Sequence, residues 1–180
     1  MLSILNLSFG KIENGNVICD LEEYRDCLLK IRKESPDLKM VLSVGVWVAG
    51  GFSETMATDA GRKQFARSAR NLVERYQLDG IDIDWEYPCI GISGIKSSGE
   101  DKENFTLMLK ELRLSLDQIE DRHCLLNIAG GGGNYFLRCT NMGEASAYLD
   151  YVQIMTYDLR GGFTIETGHH TNLYDNQADL

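Results

Sequence analysis

Three acidic side chains alternate along a hydrophobic stretch of the 180-residue chain: Asp82, Asp84 and Glu86. Alternate residues of a β-strand share a face, so a strand here would place all three acids on one side. The residues between and before them, which would lie on the other side, are apolar: Ile81, Ile83 and Trp85. Neighbouring acids would be about 6.6 Å apart, where like charges repel by roughly 2.5 kcal/mol. We therefore expect at least one acid to remain protonated near neutral pH, which indicates a functional site rather than a solvated strand face.

A divalent-cation site is the competing interpretation of the same acids, because carboxylates bind hard cations. The spacing does not match an EF-hand loop, since Ile81 and Ile83 interleave and the required glycine and final glutamate do not follow. A metal-dependent hydrolase on an open α/β sheet therefore stays open as an alternative at this point.

The composition limits the classes of partner. The chain has 18 Lys and Arg against 27 Asp and Glu, a formal net charge of −9, so its overall field repels nucleic acid and anionic membranes. The longest apolar run, Met40–Phe52, is shorter than the roughly 20 residues that span a bilayer. Residues 1–6 lack the features of a signal peptide, which leaves the localisation open. We expect the five cysteines to be mostly buried free thiols, because their number is odd and no Cys-x-x-Cys pair occurs.

The elements that position the acids follow an alternating strand and helix pattern. Four helices are expected: one running from about Leu21 to Pro36, one around Phe65–Tyr76, one around Phe105–Leu116 and a short one at Met142–Leu149. Each connects two parallel strands, so the class is α/β, as an open doubly wound sheet or a closed barrel. The five predicted strands are Leu2–Phe9, Met40–Trp47, Leu78–Glu86, Leu125–Ala129 and Tyr151–Tyr157.

The spacing Asp79-x-x-Asp82-x-Asp84-x-Glu86, followed by Tyr-Pro, resembles the active-site signature of family 18 glycoside hydrolases, the chitinases. Two other segments agree in order: Ser43-Val44-Gly45 on the preceding strand and Met155-Thr156-Tyr157-Asp158 on the last. The resemblance implies a (β/α)8 TIM barrel with the signature on its fourth strand, and hydrolysis of β-1,4-linked N-acetylglucosamine. Residues 1–180 are accordingly interpreted as a partial catalytic domain of that family, and a secreted or cell-surface location is compatible with the full-length protein.

The resemblance also implies roles for individual residues. Glu86 would be the general acid and then base, Asp84 would orient the acetamido N–H, Asp82 would share a proton with Asp84, and Tyr157 would hold the acetyl oxygen. Substrate contacts would come from Asp158, Met155, Trp47 and Tyr87. Structural support would come from Ser43, Gly45 and Asp79. In this scheme the reaction needs neither a metal nor a cofactor, and the partner is chitin or a chitooligosaccharide.

The chemistry of one strand supports substrate assistance independently of the resemblance. Glycosidases usually place two carboxyl groups on opposite sides of the scissile bond, but Asp84 and Glu86 project from one face of one strand. If Glu86 protonates the leaving oxygen, the nucleophile comes from elsewhere, and the N-acetyl carbonyl of the substrate can supply it. The same face of the last strand carries Gln153, Met155 and Tyr157, while Ser43 is placed to hydrogen-bond a buried acid such as Asp82.

Aromatic side chains near the strand ends are candidates for stacking on sugars, although we expect most to belong to the core. Trp85 is expected to face the helices and Trp47 the inside of the sheet. Val46 stands where the family usually has glycine, and we expect its side chain on the outer, helix-facing side of the strand, where it would alter packing. The Gly130–Asn134 run differs from the loop common in the family, so the sequence does not predict that wall of the cleft. The aromatic set is Trp47, Trp85, Tyr87, Tyr135, Phe136 and Phe163.

Alternative functions use the same acids. An endo-β-N-acetylglucosaminidase or a peptidoglycan-active hydrolase would share them, whereas a chitin-binding lectin would typically lack the final acid, which Glu86 supplies. A complete barrel has eight strands in about 250 residues, so the five predicted strands would correspond to the second to sixth of the barrel. We expect open strand edges to promote self-association and these 180 residues alone to have little or no activity.

Overall fold

The computed structural model describes residues 2–162 and 164–171, so Phe163 lies outside the described part. The strands are β1 (Ile4–Glu13), β2 (Asn16–Ile18), β3 (Lys39–Gly45), β4 (Gly80–Asp84), β5 (Leu125–Gly131) and β6 (Tyr151–Met155). The helices are α1 (Arg25–Glu34), α2 (Phe52–Met56), α3 (Asp59–Arg75), α4 (Asp101–Leu116), α5 (Asn134–Cys139) and α6 (Met142–Ala145), with 3₁₀ turns at Glu22–Tyr24 and Ser146–Tyr148.

The strands form one six-stranded sheet in the order β2-β1-β3-β4-β5-β6. The pairs from β1 to β6 are all parallel, which confirms the α/β class and the five predicted parallel strands. Strand β2 was not predicted: it pairs antiparallel with the end of β1 through a turn at Asn14 and Gly15. Both turn residues have positive φ, 49° and 77°, as a two-residue hairpin requires.

The helices differ from expectation mainly at their ends and in two short additions. Asp20 accepts a hydrogen bond from the Glu22 N–H at 3.0 Å, but Glu22 begins a 3₁₀ turn whose N-cap is Leu21, and the α-helix begins only at Arg25. The predicted helix over 142–149 divides into α6 and a 3₁₀ turn. Helices α2 and α5 were not predicted because five or six residues are too short to show a helical period.

The apolar core lies between the outer face of the sheet and helices α2, α3 and α4. Trp85 is 2% exposed and stacks on Phe52 with ring centroids 5.1 Å apart, which confirms that it faces the helices. Phe105 and Phe136 extend the same aromatic cluster, with their rings 6.2 Å apart. Because Ile81 and Ile83 are fully buried on this side, the alternation along β4 directs its acids to the opposite face.

Asp79 lies at the amino end of β4, away from the other acids. Its Oδ2 accepts the Met40 N–H at 2.8 Å and is also 2.8 Å from an Arg32 guanidinium nitrogen, while Oδ1 is 3.6 Å from Lys39 Nζ. These contacts tie the beginnings of β3 and β4 together. In the described ranges, no helix is long and apolar enough to cross a membrane.

Candidate active site

The acids of β4 converge where the parallel strands end, the edge at which α/β folds place their sites. Asp82 and Asp84 are 2% and 8% exposed, and Glu86 is half-buried two residues beyond the strand. Three strands are shorter at this edge than predicted, since β3 ends at Gly45, β4 at Asp84 and β6 at Met155, whereas β1 and β5 are longer. Glu86 and Tyr157 therefore belong to the loops that leave the sheet.

Asp82 is held from both sides. Ser43 Oγ donates to Oδ2 at 2.7 Å and Gln153 Nε2 donates to Oδ1 at 2.9 Å, while Asn6 Nδ2 donates to Gln153 Oε1 at 2.9 Å. The expected Ser43 contact is thus present, and the chain of hydrogen bonds links β1, β3, β4 and β6. Both donors favour the ionised carboxyl of Asp82, but burial outweighs them and raises its pKa.

Gly45 permits the close approach of β3 to the end of β4. Its φ is 122°, and a Cβ atom at this position would lie 1.9 Å from the Asp84 carbonyl oxygen. The next residue, Val46, donates its N–H to the same carbonyl at 3.2 Å and has a φ of 143°. The alternation that predicted an outer position for Val46 does not extend to this residue, because the strand ends at Gly45.

The electrostatics of the acids confirm that one should be protonated near neutrality. The pKa of Asp84 is raised to about 7, first by burial and then by the negative charges of Glu86 and Asp82. The sequence-based expectation rested on mutual repulsion between the acids, which is only the second cause of the raised pKa. Burial has the larger effect, because a buried carboxylate loses its hydration. Within the described part, Asp84 Oδ1 is buried with no hydrogen-bond partner.

Glu86 and Tyr157 share the electrostatic environment of Asp84. Burial raises the pKa of Glu86, the Asp158 charge raises it further, and a hydrogen bond with Tyr87 opposes both. The pKa of Tyr157 is raised by burial and then by Asp84, Glu86 and Asp158. The Tyr157 hydroxyl therefore stays protonated and is available as a hydrogen-bond donor beside the acids.

These side chains open into a cleft of about 570 Å³. Trp47, Tyr87 and Tyr135 form one aromatic wall, with ring centroids 6.3 Å apart for the first pair and 5.0 Å for the second. Trp47 and Tyr135 are 38% and 41% exposed, so both present ring surface to the cleft. Such surfaces suit the apolar faces of sugar rings. Other lining residues are Glu86, Met155, Tyr157 and Asp158.

Six of the eight residues expected to act on or bind a substrate line this cleft: Trp47, Glu86, Tyr87, Met155, Tyr157 and Asp158. The other two, Asp84 and Asp82, do not line it, but the charge of Asp84 interacts with Glu86, Asp82 and Tyr157. Ser43 contacts Asp82 from β3. Asp158 is exposed at the rim, and its Oδ1 lies 3.1 Å from His170 Nδ1. Among the described residues, no group of three or more His, Cys, Asp or Glu side chains is arranged to hold a metal ion.

Asp101 is a supporting residue that the sequence did not reveal. Its side chain is fully buried and accepts hydrogen bonds from Ser53 Oγ at 2.7 Å, the Ser98 N–H at 2.8 Å and the Cys89 N–H at 3.2 Å. These contacts hold the 89–98 loop, part of which lines the cleft. An acid in the first turn of a helix is ordinary, so nothing in the sequence distinguished this one.

Folding stability should depend on pH through Asp84. Its pKa is about 7 in the folded protein and near 4 when unfolded, so the folded state binds the proton more tightly between these values. The free energy of unfolding should therefore fall by about 2 kcal/mol as the pH rises from 5 to 8. Urea unfolding at each pH would measure it, and Asp84→Asn should flatten most of the slope. An unchanged slope in the variant would remove Asp84 as its source.

Comparison with known proteins agrees with this geometry. The family described as "Glycosyl hydrolases family 18" matches residues 1–180. Chitinase A1 of Niallia circulans is 38% identical over 84% of the chain, and Chitinase B of Serratia marcescens is 31% identical over 98%. A family 18 N-acetylglucosaminidase from Paenibacillus barengoltzii superposes with a TM-score of 0.95 at 47% identity, covering 99% of this chain.

The chain spans only part of these proteins. It covers 22% of Chitinase A1, 38% of Chitinase B and 54% of the Paenibacillus barengoltzii chain. Its six-stranded, mostly parallel sheet is consistent with part of a TIM barrel. The family match over the whole chain and the acids gathered at one end of its sheet lead to one conclusion: the chain belongs to family 18 of the glycosyl hydrolases.

Proposed function

We propose that these residues hydrolyse β-1,4 linkages of N-acetylglucosamine polymers by a substrate-assisted, retaining mechanism. The observation that carries the proposal is the pair of acids at one end of β4: Glu86 opens into the cleft, and Asp84, with a pKa of about 7, lies close enough for the two charges to interact. Both acids come from one side of the cleft, which is unsuited to flanking a glycosidic bond.

Glu86 would begin the reaction by donating its proton to the glycosidic oxygen. Its raised pKa keeps a larger fraction of the acid form at neutral pH than an exposed glutamate would have. As the bond to the leaving sugar breaks, the acetamido carbonyl oxygen of the substrate bonds to C1 and forms an oxazolinium ion. Glu86, now a carboxylate, then takes a proton from water, which attacks C1 from the side the leaving group occupied and breaks the bond from C1 to the acetamido oxygen. Two inversions give overall retention.

Asp84 and Tyr157 would stabilise the cyclised group. The Asp84 carboxylate would accept a hydrogen bond from the acetamido N–H and balance the positive charge that develops on the ring. The Tyr157 hydroxyl would donate to the acetyl oxygen and so fix the direction of its attack. Asp82, held by Ser43 and Gln153, would take up a shared proton whenever Asp84 needs to be ionised.

Trp47 and Tyr87 would bind sugar rings along the aromatic wall, with Met155 and Asp158 contacting the reacting sugar.

The name of one similar protein supports a second candidate function within the same chemistry: the Paenibacillus barengoltzii protein, 47% identical in sequence, is named an N-acetylglucosaminidase. Both candidates cleave bonds of N-acetylglucosamine and differ in whether they act inside the polymer or at its ends. A lectin without turnover is disfavoured because Glu86 is present in the cleft.

Incubation with chitohexaose, with and without a chelator, would test the proposal. We expect cleavage that the chelator does not affect. Early products of intermediate length would indicate action within the chain, whereas N-acetylglucosamine or its dimer as the sole early product would indicate action at the ends. Loss of activity with the chelator, restored by a divalent cation, would favour a metal-dependent hydrolase instead.

The assay should use two forms of the protein, because we also propose that residues 1–180 are part of a larger catalytic domain. One form is the chain itself, for which we expect little or no turnover. The other is a chimera in which the chain replaces the matching segment of the Paenibacillus barengoltzii enzyme, for which we expect activity. Equal turnover by both forms would show that no further strands are needed.

Self-association of the isolated chain is a related expectation. In the part that the structure describes, β6 has a neighbouring strand on one side only, and its outer residues Val152 and Ile154 are 41% and 61% exposed. An edge of this kind is a template for pairing with another copy. Light scattering should therefore show dimers or larger species, reduced by Ile154→Lys. A monodisperse monomer at high concentration would contradict this.

A further inference from the structure

Two cysteines meet beside the cleft, on loops that are far apart in sequence. The Cys89 sulfur lies 3.8 Å from both the Cys139 carbonyl oxygen and the Gly99 carbonyl oxygen, and its single S–H can donate a weak hydrogen bond to either. Both cysteines are half-buried, so solvent reaches the pair. The expectation of mostly buried thiols is thus wrong, since only Cys124 of the five is fully buried.

The first turn of α4 supports both cysteines. The Asp101 carboxylate accepts the Cys89 N–H at 3.2 Å, and Cys89 has a φ of 62°, a conformation uncommon outside glycine. On the other side, Lys102 Nζ donates to the Arg138 carbonyl at 3.0 Å, next to Cys139. Two consecutive residues of one helix therefore anchor the two backbones, which holds the two cysteines next to each other.

We propose that Cys89 and Cys139 are a disulfide-forming pair that oxidises by exchange with a small-molecule disulfide of the glutathione type. One thiolate attacks the small disulfide, forming a mixed disulfide and releasing one small thiol. The second thiolate attacks the protein sulfur of the mixed disulfide and releases the other small thiol. The two cysteines lose two electrons and two protons in total, and the small disulfide is reduced to two thiols.

The bond would join the two sides of the aromatic wall. Tyr87 precedes Cys89 by two residues, and Tyr135 lies on α5, the helix that ends at Cys139. Their rings are already 5.0 Å apart, so a covalent link would fix an existing contact rather than create a new one. Burial and the neighbouring Cys139 raise the pKa of the Cys89 thiol, so exchange should be slow near neutral pH and faster in alkaline buffer.

Peptide mapping of the 180-residue chain can identify the pairing. Trypsin places Cys89 in peptide 76–96 and Cys139 in peptide 139–160, each without another cysteine. After treatment with oxidised glutathione in alkaline buffer, we expect these two peptides to be joined at least about tenfold more often than any other cysteine pair. Cys27→Ser, at an exposed thiol, should leave the link intact, whereas Cys89→Ser and Cys139→Ser should abolish it.

A thermal scan gives a second measurement. The loop that the bond closes is 50 residues long, so the oxidised protein should have a Tm about 5 to 10 °C above that of the reduced protein. Separate glutathione adducts on both cysteines, a preferred link to another cysteine or a lower Tm after oxidation would overturn the proposal. The wild-type map decides the pairing by itself, even if a serine variant does not fold.

Discussion

Replacing Glu86 with glutamine is expected to lower kcat by about 10²- to 10⁴-fold in the active chimera. The amide has nearly the shape of the carboxyl group but no transferable proton, so neither the acid nor the base step is possible. Binding of a chitooligosaccharide and the Tm should change little, because Glu86 lies at the cleft surface rather than in the core. Initial rates and calorimetric binding on the same preparations would separate the two effects.

Glu120→Gln provides a matched control for this substitution. Glu120 is exposed, follows α4 and lies outside the cleft, so its loss should leave kcat within about twofold. If Glu86→Gln retained more than about a tenth of the unmodified kcat, Glu86 would not be the general acid. If it abolished binding as well as turnover, its main role would be in holding the substrate.

Asp84→Asn and Tyr157→Phe are expected to lower kcat by at least about 10-fold while raising KM much less. Both groups are proposed to stabilise the cyclised acetamido group, which exists only along the reaction path. Fully deacetylated oligosaccharides should not be cleaved, since they lack the carbonyl oxygen that attacks C1. Steady-state kinetics on acetylated and deacetylated oligosaccharides of equal length would measure both effects.

Tyr151→Phe is the matched control for Tyr157→Phe. Tyr151 lies on the same chain segment, at the start of β6, where it is 52% exposed and away from the acids. Its hydroxyl should contribute little to kcat. If Tyr157→Phe raised KM and left kcat unchanged, the hydroxyl would bind the substrate in its ground state instead. Equal cleavage of both oligosaccharides would exclude the acetamido nucleophile.

The parts of the fold that the sequence predicted well depend on local periodicity. The alternation through Ile81, Asp82 and Ile83 placed the acids on one face, and the same logic predicted the contact of Ser43 with Asp82. It also placed Gln153 on the face of β6 directed toward the acids, where the structure shows it bound to Asp82. Such contacts follow from the strand backbone itself, because successive side chains of a strand point to opposite faces of the sheet. For this reason the sequence alone predicted which side chains share a face of each strand.

Features that depend on loops and on distant contacts were not predicted. The alternation does not extend to Val46, because β3 ends at Gly45, where the backbone turns to positive φ. The role of Asp101 depends on Ser53 and Cys89, which are 48 and 12 positions away in sequence. Burial, the leading cause of the raised Asp84 pKa, likewise depends on the packing of the whole sheet.

The configuration of the first product tests substrate assistance most directly. Proton NMR during the first minutes of chitooligosaccharide hydrolysis by the chimera would resolve the α and β anomers before they interconvert. The proposed double displacement predicts that the β anomer forms first and then mutarotates toward equilibrium. An initial excess of the α anomer would show a single inversion by water, and the acetamido group could then not be the nucleophile.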